Sequence, residues 1–179
     1  MTSRMHRYLR AFGREEKGTA AVEFALLFPW VFFMFIWAVE LGLLMTKSVM
    51  LEHAVDVAMR DIRLGNMANP TSDSLKDSIC DRARIISGCR ATIMLDLQPV
   101  SGSTWVLPPR TAACRDRSLP IQPVVSWTLG QTNDLMIVRA CVLVSPLFPG
   151  TDIGRMLVKD ANGELGMTAI TSYVTEPLT

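Results

Sequence analysis

From residue 24 to 39 every side chain is apolar or proline, and after Glu40 the run resumes through residues 41–45. As a helix, the 22 residues 24–45, Glu40 included, reach about 33 Å, enough to cross the hydrocarbon core of a bilayer. Seven of the thirteen aromatic residues in this 179-residue chain lie in that run: Phe24, Phe28, Trp30, Phe32, Phe33, Phe35 and Trp37. The run as a whole, aliphatic and aromatic together, accounts for the chain's mean hydropathy of +0.26. It argues against disorder, which requires low hydrophobicity and high net charge. A buried core helix is the competing reading, and a run of this length and bulk rarely fills that role in so short a chain. The net charge of +1 gives no general reason to expect a nucleic-acid partner.

The flanks give the span a direction. Arg4, Arg7, Arg10, Arg14 and Lys17 precede it, against Glu15 and Glu16, whereas Lys47, Arg60 and Arg63 follow more sparsely. The positive-inside tendency keeps the N-terminus in the cytoplasm and sends residues beyond about 46 across the membrane. A secretory signal peptide would place its small-residue cleavage site after a shorter apolar stretch. Here the small residues Gly18, Thr19, Ala20 and Ala21 come before it. The order is reversed.

The junction reads Lys17-Gly18-Thr19-Ala20-Ala21-Val22-Glu23-Phe24. It resembles the processing site of type IV prepilins, which a membrane peptidase cuts after a glycine on the cytoplasmic side, leaving glutamate as the fifth mature residue. That resemblance implies a cut between Gly18 and Thr19, with Glu23 in fifth place. Phe24 after the glutamate, the run Gly-Thr-Ala-Ala-Val-Glu-Phe-Ala-Leu-Leu-Phe-Pro and the later Val39-Glu40-Leu41-Gly42 are similar to the TadE/TadF family of minor pseudopilins in the tight-adherence (Flp) branch. The likeness covers roughly residues 14–60.

It implies a minor pseudopilin of the bacterial inner membrane, crossing once, with a cytoplasmic N-terminus and a periplasmic head. Entry into a surface pilus would be a further step. The implied partners are a prepilin peptidase, the inner-membrane pilus assembly platform, other pseudopilins, the major pilin and the lipid bilayer, with no nucleic acid. Pilus biogenesis and surface adhesion would be the outcome. An uncleaved single-span envelope protein, whose head binds a partner or regulates a membrane complex, is the alternative.

Physical chemistry gives the junction a role of its own. At the edge of the run Glu23 avoids most of the roughly 2.5–3.5 kcal/mol estimated for an acid at mid-membrane. Processing would free an amine on Thr19, which Glu23 of a neighbouring subunit could pair with, offsetting both desolvation costs. Glu23 is therefore assigned to assembly and register, and the resemblance places Phe24 beside it in that role. Glu40, the second acid of the run, joins them as an intramembrane ionisable residue, although it lies close enough to the outer end to reach the headgroups. Pro29 removes a backbone donor within the span.

Beyond the membrane, Leu51, Val55, Ala58 and Ile62 recur at helical spacing, and Gly65-Asn66 is a stop signal. The organisation expected is a basic leader over 1–18, a transmembrane and stalk helix over 19–64, and an α+β head over 65–179 with an antiparallel sheet. In the head, a capped helix is expected over 74–87, closed by Gly88. Strands are expected over 91–98, 104–107, 123–129, 135–144 and 167–175, with residues 128–134 as a hairpin loop.

Cys80, Cys89, Cys114 and Cys141 all follow the span, as disulfides of an oxidising compartment would. Three pairings are possible. The expected elements favour Cys80–Cys89 and Cys114–Cys141, and free buried thiols remain the other reading. Zinc is a poor fit, since no C-x-x-C occurs and the only histidines are His6 and His53.

Catalytic signals are absent from the head. It has no histidine to serve as general base and no phosphate-binding glycine loop. Asp96, Asp116, Asp134, Asp152, Asp160 and Glu164 read as solvated surface acids, and 114–117 as a mixed-charge loop. No enzyme, cofactor or metal is expected.

Overall fold

A computed structural model describes residues 18–67, 69–101, 107, 114–115, 120–150 and 162–176. Helix α1, Thr19–Arg63, carries the apolar run. Its end is capped by Gly65, which takes φ +70°. Gly65 N–H donates to Ile62 O and Asn66 N–H to Asp61 O, satisfying the last carbonyls in a Schellman arrangement. Arg60 and Arg63 occupy the final turn, where positive charge complements the helix dipole.

Two compact units divide the chain between Val39 and Glu40. In the first, residues 18–35 are all solvent-exposed, Trp30 by 74%. This helix is long and apolar enough to cross a membrane, and none of its most apolar stretch is buried against protein. Phe24, Phe28 and Phe32 line one face at four-residue spacing, with ring centroids 5.1 and 5.7 Å apart.

The second unit begins with the rest of α1. Leu44, Leu51, Ala54, Val55, Ala58 and Met59 are buried there, with Ile62 packed on the same cluster. The stripe at residues 51, 55, 58 and 62 is thus the packing face of the helix.

Helix α2, Ser72–Arg82, opens on a capping box in which Thr71 and Ser74 exchange side-chain-to-backbone hydrogen bonds. It buries Leu75 and Ile79. It stops before the expected 87, and the Cys80–Cys89 disulfide supplies the reason. A straight helix would separate residues nine apart by about 13 Å, whereas these Cα atoms lie 5.7 Å apart. The chain turns at Ala83 instead, and Gly88 (φ +67°) precedes the short helix α3, Cys89–Thr92.

Strands β1 (Met94–Pro99), β2 (Leu135–Val144) and β3 (Leu165–Val174) form one antiparallel sheet in the order β1-β2-β3. Its inner face presents Leu95 and Leu97, then Met136, Val138, Ala140, Val142 and Val144, then Met167, Ala169 and Tyr173 to the core shared with α1 and α2. Burial raises the Tyr173 phenol above its ordinary pKa.

The architecture is the α+β one expected. The expected hairpin around 128–134 is not present. Trp127 pairs in parallel with Leu97 of β1, which lies between it and β2. A β-rich run separated from the next by a loop reveals nothing about which strand lies beside it. Most of the expected 104–107 strand falls outside the described residues.

On the outer face, the Cys114–Cys141 disulfide lies over Gly166. A Cβ at Gly166 would meet Cys114 Sγ at 2.9 Å and Cys141 Sγ at 3.6 Å. Glycine is required there by space rather than by backbone conformation. Gly166→Val is therefore expected to leave Cys114 and Cys141 largely unpaired, seen as two extra alkylated thiols in the intact mass without reductant. Complete oxidation of the variant would contradict the contact.

Candidate functional site

Gly18 and Thr19 stand at the start of α1, and Glu23 and Phe24 lie one turn further on. All four are solvent-exposed. Phe24 begins the aromatic stripe. The leader residues 1–17 lie outside the described residues.

Glu40 is placed differently. It is 1% exposed. One carboxylate oxygen accepts from Leu147 N–H and the other from Phe148 N–H, each at 2.9 Å. Lys47, two turns on, extends Nζ to within 3.5 Å of Ser145 O. Helix α1 thus holds the loop after β2 at two points, both within the second unit. Hydrogen bonds to an ionised acceptor are shorter and stronger than neutral ones. Both oxygens of this apparent intramembrane acid are engaged by the head's own backbone.

The four cysteines form Cys80–Cys89 and Cys114–Cys141, the latter with Cα atoms 5.1 Å apart. Arg115 Nη1 donates to Ala91 O at 2.6 Å, so the 114–115 loop is tied to the body at two successive residues.

Among the described acids Asp96 departs furthest from the surface reading. Asp96 is 5% exposed and faces Arg139 directly across the β1–β2 ladder. It accepts from Arg139 Nε at 2.8 Å and from Arg139 Nη2. Gln98 Nε2 and Ser126 N–H, the latter at 2.9 Å, also donate to it. The expectation that Asp96 is solvated is wrong, because strand pairing buries it with its counter-ion. The available sequence signal was a single acid and a single arginine, each the only charge in a largely apolar strand. Asp134, by contrast, is only half-buried, at the end of the exposed 131–133 turn, and accepts from Gln131 N–H. Asp116, Asp152 and Asp160 lie outside the described residues.

A groove of about 440 Å³ runs between Asp56, Arg60 and Arg63 of α1 and Thr171, Ser172 and Tyr173 of β3. It holds no histidine or cysteine. Among the described residues no group of three His, Cys, Asp or Glu side chains is arranged to hold a metal ion.

These features define a class: a candidate single-span protein with an apolar N-terminal helix and a disulfide-bonded α+β head. Residues 18–60 match the family model described as TadE-like protein, which begins at Gly18 and ends three residues before α1 does. This segment is TadE-like, and the match supports a Tad pilus-associated protein. No curated protein matches the chain, and no solved structure does.

Proposed function

We propose that the protein is a minor pseudopilin of a tight-adherence pilus assembly/secretion system, cut after Gly18 and acting by assembly rather than catalysis. The coincidence of the TadE-like match with the Gly18–Glu23 junction carries the reading. The exposed apolar face of residues 19–39 would pack against like helices in the inner membrane. The Thr19 amine and Glu23 carboxylate of adjacent subunits would set their register, and the head would lie in the periplasm. A prepilin peptidase, the assembly platform, other pseudopilins and the major pilin are the partners this requires. Adhesion would follow from the pilus.

Deleting the protein is expected to abolish surface pili in a cell that makes them. Wild-type chain should restore them, and Glu23→Ala should not. Co-purification of Glu23→Ala with other pilus subunits should fall by roughly tenfold or more, the factor that about 1.4 kcal/mol of lost pairing produces. Normal piliation in the deletion strain would overturn the proposal. Unchanged co-purification of the variant would remove the register role from Glu23.

A further inference from the structure

Both hydrogen bonds to Glu40 come from one short loop, and they account for every backbone donor in it. Residues 145–150 read Ser-Pro-Leu-Phe-Pro-Gly and carry no charge. Between Pro146 and Pro149 only Leu147 and Phe148 have a backbone N–H, because proline has none. Those two groups donate to the two carboxylate oxygens of Glu40. Residues 146–149 therefore present no unpaired backbone donor. Lys47 Nζ donates to Ser145 O at the loop's start.

A loop that faces water needs no such pairing, since water satisfies its donors. In hydrocarbon every unpaired backbone group is costly, and irregular chain enters only when its polar groups are met from within the protein. Here the donor-free loop also carries exposed apolar side chains, Leu147 at 57% and Phe148 at 37%. Leu41, next to Glu40 in the chain, and Met45, one turn beyond it, are exposed as well. All of these residues belong to the second unit. Glu40 follows Val39 through a single peptide bond, about 3.8 Å between Cα atoms. The loop thus meets the chain at the C-terminal end of the apolar stretch 24–39, whatever the angle between the two units.

We propose that residues 146–149 enter the boundary between headgroups and acyl chains of the membrane that the apolar run crosses, with Leu147 and Phe148 facing lipid. Lipid is the occupant because the residue that holds the loop is itself flanked by that run, through residue 39 on one side and residues 41–45 on the other. Lys47 suits the same boundary, where a lysine stem covers apolar surface and its charge reaches toward water. Glu40 then has a purpose at the edge of a membrane: it satisfies the donors of a loop that water cannot reach. The inference rests on the apolar run lying in a bilayer, and needs neither cleavage after Gly18 nor entry into a pilus.

The test replaces Phe148, and separately Trp30 in the run, with the photo-crosslinking residue p-benzoylphenylalanine in the full chain. Each protein is reconstituted into vesicles of phosphatidylethanolamine and phosphatidylglycerol and irradiated, and phospholipid adducts are identified by mass. Both positions are expected to yield them. Adding Leu147→Asp, which keeps the N–H bonded to Glu40, should cut the yield at position 148 several-fold. The yield at position 30 should not change, and both disulfides should stay formed. Lipid adducts at position 30 with none at 148 would overturn the inference and leave the span in place. Adducts at neither position would overturn both. An unchanged yield at 148 with Leu147→Asp would also overturn the inference, since the apolar side chains would then play no part.

Discussion

Glu40→Ala is expected to lower the thermal unfolding midpoint of the detergent-solubilised full chain by on the order of 10 °C. The physical basis is the loss of two hydrogen bonds to a buried carboxylate. Bonds to charged groups contribute about 1.5–3 kcal/mol each, and removal strands two backbone donors that alanine cannot satisfy. For a unit of this size, each kcal/mol moves the midpoint by about 2–4 °C. Hydrogen exchange should localise the change: the Leu147 and Phe148 amides should exchange much faster, while those of β2 change less. Glu40→Gln keeps one acceptor oxygen and should fall between wild type and alanine. A midpoint within about 2 °C of wild type, less than the shift expected for a single kcal/mol, would mean that the loop is held by other contacts.

The second large effect concerns the ion pair across the β1–β2 ladder. Arg139→Leu leaves the Asp96 carboxylate buried with Gln98 and Ser126 but without its counter-charge. Breaking a buried pair from one side costs about 3–5 kcal/mol, whereas replacing both members with apolar residues is often near neutral. Arg139→Leu is therefore expected to be severely destabilised in chemical denaturation. The double variant Asp96→Leu/Arg139→Leu should recover most of the loss. The double variant also releases Ser126, so its recovery should remain incomplete. If the two single losses simply add in the double variant, the residues do not act as a pair.

How far the sequence discloses this structure depends on the distance over which each feature is encoded. Helix α1 is a local pattern: an uninterrupted apolar run, a stripe at 51, 55, 58 and 62, and a glycine stop. Each can be read from neighbours a few residues apart. The strands at 94–99, 135–144 and 165–174 are legible in the same way, from β-branched and apolar runs between turn residues. Their neighbours are not. Trp127 lies against Leu97, on the edge of β1 away from β2, and nothing local records that placement.

The same limit applies to the polar residues. Glu40 meets its donors 107 and 108 residues away, and Asp96 meets Arg139 at a separation of 43. Viewed within its own segment, Glu40 resembles an acid stranded in an apolar helix, and Asp96 resembles a surface charge. Only the folded ladder and the loop after β2 give them partners. The junction at Gly18–Phe24 is the opposite case, since its meaning lies in consecutive residues.

The central claim is that this junction is a prepilin processing site, and the intact mass of the protein tests it most directly. The chain should be purified from cells that contain their own prepilin peptidase, beside a Gly18→Ala control. The account predicts a wild-type chain beginning at Thr19 and a variant that keeps its original N-terminus. A wild-type chain that retains residues 1–18 would contradict it and leave a permanently anchored envelope protein in its place.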